Sequence, residues 1–155
     1  MSSLSRLVIT IIMSATPIIE QKAALPYAVT YGEFTYMQAY IITLIGALIP
    51  APFILKLMPY VLNLLKRIKI IDRVATWYED KALKKGAKIQ NYQLIGLFLF
   101  VAIPLPGTGV WTGSTVAALL ELDFKKSLLV IMLGAAFCGI EMMFITLGIG
   151  SVLFG

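Results

Sequence analysis

Apolar residues run along this chain in blocks, and the length of each block sorts them into two kinds. Residues 34–58 and 127–154 are each long enough to cross a bilayer as a helix, which takes about twenty residues. Residues 4–15 and 94–102 are equally apolar but too short to cross alone. Each short block runs into a breaker and is followed by a second short block. Pro17 stops the first, and residues 18–31 continue with Glu20, Lys22 and Pro26. The second runs into Ile103-Pro104-Leu105-Pro106-Gly107-Thr108-Gly109-Val110-Trp111-Thr112-Gly113-Ser114, and helix-forming sequence resumes over 115–120. Pro104 and Pro106 lack backbone donors, and Gly107, Gly109 and Gly113 remove the steric bias toward helix. A break of this kind at membrane depth must be buried in protein or line a wet cavity.

Residues 4–31 and 91–121 are therefore predicted to be re-entrant hairpins, the first with its tip over 17–26. One long, kinked span is the competing reading of 4–31. Residues 34–58 form the first full span, with Gly46 near its middle, kinks at Pro50 and Pro52, Lys56 reaching the interface and Pro59 ending it. The second span, 127–154, carries small residues such as Gly134, Ala135 and Gly139, which let helices approach closely. Leu122-Asp123-Phe124-Lys125-Lys126 is its polar connector.

Between the halves, Leu64, Ile68, Ile71, Ala75, Tyr78 and Ala82 recur at spacings of four and three, one stripe of an amphipathic helix over 60–90 that stops near Gly86. It reads as an interfacial helix, with an oligomer contact or regulatory element as the sharper alternative.

Each half is a hairpin followed by a span and crosses the membrane an odd number of times, so the second half starts on the opposite side. The expected fold is an all-α integral membrane protein of one domain, 1–155. It has two inverted repeats, 1–59 and 91–155, each a re-entrant hairpin plus one full transmembrane helix, joined by a basic amphipathic cytoplasmic helix. Broken helices of inverted repeats meeting near the midplane are a transporter architecture.

Composition agrees: 59% of residues are hydrophobic, 14% are charged, and the mean hydropathy is +0.90. Charge adds an orientation. Lys66, Arg67, Lys69, Arg73, Lys81, Lys84, Lys85 and Lys88, against Asp72, Glu79 and Asp80, account for the whole net charge of +5. The joining segment is thus expected in the cytoplasm near anionic lipid, with both termini outside. No base-stacking aromatic pattern accompanies it, so nucleic acid is not an expected partner. Leu7 to Met13 behind Arg6 looks like a weak signal peptide, but Ser14-Ala15-Thr16 is a poor cleavage site and retention is expected. The chain has no histidine, and Cys138 is its lone cysteine. Metal-ligand clusters, catalytic triads and cofactor motifs are absent from the sequence, so neither an enzyme nor a cofactor is expected. The glycine-rich break lacks the Gly-Lys-Ser/Thr ending of a phosphate loop.

Two acids stand at membrane depth. Glu20, at a hairpin tip, should face a partner or water. It is either half of an ion pair with Lys22 that pins the tip or a proton or cation site relieved by substrate. Glu141, near the centre of the second span, is either a protonated structural hydrogen-bonding group or a second relay acid. Glu33 and Glu121 fall at segment ends and are expected at the interface. In the second hairpin, Thr108, Thr112 and Ser114 offer hydroxyls and Trp111 a ring with a donor. The start of its second arm, near residues 110–113, leaves backbone donors that attract anions.

Pro17-Ile18-Ile19-Glu20-Gln21-Lys22-Ala23-Ala24-Leu25-Pro26, Pro50-Ala51-Pro52-Phe53 and the break from Ile103 to Gly113 resemble, in order and over nearly the whole chain, the small multidrug export protein family. That family is itself similar to the DedA superfamily of re-entrant-hairpin membrane proteins. The chain departs from the pattern at Lys22-Ala23, where the family usually has arginine and glycine, and at Ala47, where it tends to have asparagine. A lysine cannot reproduce the bidentate grip of an arginine. The resemblance implies drug export, and the DedA likeness implies proton-dependent translocation of a lipid carrier.

The expected function is proton-coupled transport of a small amphiphile or lipid-like substrate. The expected site is Glu20, Lys22, Pro26, Pro104, Pro106, Gly107, Thr108, Gly109, Trp111, Thr112, Gly113 and Glu141, with Trp111 against the substrate. A phosphate-headed lipid would suit Lys22 and the helix start, and a cationic drug would suit Glu20 and Glu141. A membrane scaffold without transport is the alternative of another class. Membrane lipid and a second copy of the chain, a dimer first, are the expected partners, because two spans and two hairpins shield polar tips poorly.

Overall fold

The computed structural model describes residues 3–65 and 86–154. Most of the amphipathic stripe, and all but one of the joining segment's charges, lie outside the described residues. The described residues form seven helices: α1 (Ser3–Ala15), α2 (Glu20–Thr30), α3 (Tyr36–Leu48), α4 (Pro50–Leu65), α5 (Gly86–Ala102), α6 (Val110–Leu119) and α7 (Phe124–Phe154). α3 and α4 run on as one bent rod. Among the described residues, two stretches are long and apolar enough to cross a membrane, Tyr36–Val61 and Phe124–Gly148.

Two boundaries differ from the sequence reading. The first turn is tighter than residues 17–26: α2 is helical from Glu20, so Pro26 lies inside a helix rather than at a tip. Its missing donor costs the ladder only the bond to the Lys22 carbonyl. α1 and α2 pack on each other as two helices, which excludes one long, kinked span. Pro59 does not end the first span, because α4 continues through it to Leu65. Gly86 is helical, the first described residue of α5, and the segment it was expected to stop lies outside the described residues.

The expected kink is present. Pro50 cannot donate to the Gly46 carbonyl, and the N–H of Ile49 takes that acceptor at 3.3 Å, so α3 closes with a tighter turn and α4 departs from it.

Both spans start alike. Thr35 and Gln38 cap α3 reciprocally, side chain to backbone in each direction, at 3.3 and 3.0 Å. The Asp123 carboxylate accepts from the Lys126 N–H at 2.9 Å ahead of α7. Just before these caps Glu33 (φ 56°) and Glu121 (φ 51°) adopt the left-handed conformation that closes α2 and α6, and both are exposed, as expected of segment ends. Glu33 also pairs with Arg6 of α1 at 2.9 Å.

Packing follows one rule in both halves. The first short helix lies on the span of its own half, α1 on α3 and α5 on α7. The second lies across the other half's span as well, α2 on α7 and α6 on α4. A glycine makes each own-half contact possible. A Cβ at Gly46 would stand 2.9 Å from the Ile11 carbonyl and from the Ser14 Cβ; one at Gly134 would stand 2.9 Å from the Val101 Cβ and 3.1 Å from the Phe98 carbonyl. Lipid-soluble helices gain little from burying apolar surface against one another, so this close backbone approach carries the association. The core between the halves is built from Ala47, Ala51 and Leu55 of the first span, Val101, Val110 and Ala117 of the second hairpin, and Ile131 and Ala135 of α7.

Candidate functional site

The two turns that interrupt the hairpins meet. Thr16–Ile19 joins α1 to α2, and two of its neighbouring residues pay for the tightness in backbone strain: Ile18 has φ 77° and Glu20 φ 46°. That geometry swings the Glu20 side chain inward, where it is 5% exposed. Residues 103–109 make the second break, and Gly109 (φ 133°, ψ −162°) sets the start of α6 in a conformation that essentially only glycine adopts.

The Glu20 carboxylate lies against this start. Its Oε1 accepts from the Trp111 N–H at 2.9 Å, the Val110 N–H also faces it, and the carboxylate occupies the space that a Cβ on Gly109 would fill. Glu20 thus caps α6 from the other hairpin, satisfying the orphan donors and complementing the positive end of the helix. Gly113 N–H is engaged within α6, on the Gly109 carbonyl at 2.8 Å. The backbone donors expected to be free near 110–113 are therefore largely taken by the protein itself.

Lys22, one turn face away, holds the other side of the break. Its Nζ donates to the Leu105 carbonyl at 2.7 Å, to the Thr108 carbonyl and to Thr108 Oγ1 at 3.2 Å. Thr108 Oγ1 is itself tied to the Ile103 and Leu105 carbonyls at 2.9 and 2.8 Å. The Glu20–Lys22 pair expected from sequence exists at 3.9 Å, but each partner's shorter contacts run to the opposite hairpin. Trp111 closes the exchange: its indole Nε1 donates to the Ala15 carbonyl, at the end of α1, at 3.0 Å. The ring's donor is thus committed to the protein rather than free for a ligand.

Of the remaining expected residues, Gly113 packs its bare Cα against Val101, where a Cβ would collide. Thr112 is exposed with a long 3.5 Å contact to the Gly109 carbonyl, Pro106 and Gly107 are exposed on the break, and Pro104 is half-buried. Pro26 lies one turn along α2 from Lys22 and touches none of these bonds. Glu141 is not part of the tip cluster. It is half-buried on α7, one turn from Cys138, whose thiol lies within electrostatic reach of Glu20, Lys22 and Glu141. Among the described residues, no group of His, Cys, Asp or Glu could hold a metal ion.

The structure adds residues that the sequence reading passed over. Gln21 is 3% exposed; its Nε2 donates to Thr43 Oγ1 at 3.4 Å and lies against Gly139, which has no room for a Cβ. Ser14 Oγ donates to the Thr43 carbonyl. A cavity of ≈ 10 Å³, about the room one water needs, is lined by Glu20, Gln21, Lys22, Ala47, Val101, Gly109, Val110, Ala135 and Cys138. The signal for Thr10 and Ser14 is present in the sequence: two hydroxyls one turn apart in the otherwise apolar run 7–15 define a face.

No curated protein and no solved structure matches the chain. A family profile does. Residues 20–140, from the capping glutamate to the middle of the last helix, match the profile described as "Putative small multi-drug export protein". With that match covering most of its length and both contact segments of the site, the chain belongs to the small multidrug export protein family.

Proposed function

We propose that the protein is a proton-coupled membrane transporter that exports small amphiphiles, with Glu20 as the coupling group. The observation that carries this reading is the joint between the hairpins. A carboxylate at 5% exposure has an N-cap role that depends on its charge, and a lysine beside it holds the facing loop by three bonds. Protonating Glu20 weakens its hold on the Trp111 N–H and leaves Lys22 without its neighbouring anion. One proton thus loosens both sides of the contact, which is what a coupling group must do.

On this reading α1–α2 and α5–α6 are re-entrant hairpins of two inverted repeats, and the matching own-half and cross-half packing supports that. The basic joining segment is cytoplasmic and both termini lie outside, as the positive charge favours. The polar joint is shielded further by a second copy of the chain, and the protein performs no chemistry on its substrate. A phosphate-headed lipid carrier, of the kind the DedA likeness implies, is the second substrate reading. It is favoured by the start of α6 together with Lys22, which suit an anion once Glu20 withdraws.

The test is uptake into proteoliposomes under an imposed proton gradient, with a cationic dye and a phosphate-headed lipid as separate substrates. Glu20→Gln, which keeps the shape, is expected to abolish gradient-driven uptake of whichever substrate moves. Wild-type transport by Glu20→Gln would remove the coupling role. Transport of neither substrate, with Pro104, Pro106, Gly107 and Trp111 tolerant of substitution, would favour a scaffold.

A further inference from the structure

We infer that Glu20 exchanges its proton with one side of the membrane only, through the first half of the chain, along Arg6, Thr10, Ser14, Thr43 and Gln21. This rests on Glu20 being the coupling group and adds the route by which it is reached.

Arg6, Thr10 and Ser14 stand one turn apart on α1, so they share a face that runs from the helix's open end to the turn before Glu20. Thr10 and Ser14 are fully buried at 0% exposure. Thr10 Oγ1 donates to the Arg6 carbonyl at 2.8 Å, and Ser14 Oγ to the Thr43 carbonyl. Thr43, also 0% exposed, donates its hydroxyl to the Ala39 carbonyl at 2.7 Å and accepts from Gln21 at 3.4 Å. Gln21 and Glu20 line the same cavity. Polar side chains therefore recur from the Arg6–Glu33 pair along one face of α1 to Ser14, and continue through Thr43 and Gln21 to the cavity that Glu20 lines.

The second half supplies the control. Gly46 and Gly134 make the same contact, so Ser14 matches Val101 and Ile11 matches Phe98. One turn earlier Thr10 matches Leu97, and one turn before Gly46 and Gly134, Thr43 matches Ile131. The polar face of the first half is Leu97, Val101 and Ile131 in the second, all buried and all in the hydrophobic core. Backbone satisfaction does not demand this difference, because the same helices pack in the second half with no hydroxyl at these places. A polar face gives entering water hydrogen-bond partners that the apolar face of the second half does not.

The charged and titratable groups around Glu20 do not offer another path. Lys22 on α2 is held by the break, Cys138 on α7 lines the cavity with Glu141 beyond it, and α6 presents backbone donors. Tyr40 on α3 is turned to the Ala136 carbonyl at 3.1 Å, and Arg6 is paired to Glu33.

The experiment uses single cysteines in the full chain carrying Cys138→Ala, reconstituted in liposomes and exposed to silver ion, which follows water. Unreacted thiol is counted by maleimide labelling and mass spectrometry. Thr10→Cys and Ser14→Cys are compared with Leu97→Cys and Val101→Cys. Thr43→Cys against Ile131→Cys is a third pair that replaces any pair with a member that does not fold. First-half cysteines should react about tenfold faster, as a wet lining does relative to a dry one. Equal or reversed rates overturn the route. The readout needs no transport, so a first-half preference together with wild-type uptake by Glu20→Gln would keep the route and remove the coupling.

Discussion

The two halves of this protein pack their helices by the same rule and place different chemistry around the glycine at which they meet. α1 lies on α3 as α5 lies on α7, each across a glycine. Yet the contact that holds Ser14 and Thr43 in the first half holds Val101 and Ile131 in the second. Shape was kept and polarity was not. A hydrogen bond between helices in lipid is worth only about 0.6 kcal/mol on average, so polar packing is a weak stability device. On the proposed route, the hydroxyls of the first half matter more as a hydrophilic face than for what they hold together. The break in the second half carries the complementary role: glycine-shaped, and gripped by the charges of the first.

The comparison can be broken at its most demanding position first. Gly109→Ala places a methyl where the Glu20 carboxylate lies, on a backbone that alanine rarely adopts. It should destabilise by about 3 kcal/mol, seen as a large fall in the detergent unfolding midpoint. Lys22→Met removes a charge-assisted clamp on two carbonyls and should cost about 2 kcal/mol, with protease cleavage appearing first within the 103–109 break. Exchanging the linings sharpens the contrast: Val101→Ser removes buried methyls from the second half and should cost about 1–2 kcal/mol, read by the same melt. Trp111→Phe loses only the indole bond to Ala15, about 1 kcal/mol, so a loss of uptake far beyond that would point to ring contact with substrate. Least should follow from Glu33→Gln. Its carboxylate is well exposed, and its pair with Arg6 is worth below about 1 kcal/mol, with the melt nearly unchanged and less affected still in high salt.

Block length against bilayer thickness located both spans and both breaks, because a helix cannot ignore Pro-Leu-Pro-Gly and lipid cannot solvate a bare backbone. Element ends were less legible. Pro59 reads as a terminator and Pro26 as part of a tip, yet a helix held by neighbours tolerates the loss of one bond, so both lie within helices. In the site, Glu20 and the break stood out by chemistry. Their meeting follows from the repeat plan, but its form does not, because nothing local says that a carboxylate will cap a helix 91 residues away. The same limit hid Gln21 and Thr43, whose side chains are ordinary until α2 and α3 bring them together. Trp111 is a partial case: its ring suggests a ligand platform, and the bond of its donor to Ala15 leaves only the ring itself for that role.

The two spans differ in a mechanical sense as well. α7 is a single helix of 31 residues, about 46 Å at 1.5 Å per residue, against a hydrocarbon layer of about 30 Å. Such a rod must lean or protrude, and it bends as one piece. The first span is divided at Ile49 and Pro50 into lengths of 13 and 16 residues, with a missing hydrogen bond as its joint. Because α6 rests on α4 and α1 on α3, a change of angle at that joint would swing the second hairpin's inner arm relative to the first hairpin while α7 stays stiff. The protein thus has a strut and an elbow, and the elbow sits where the two hairpins' loads divide.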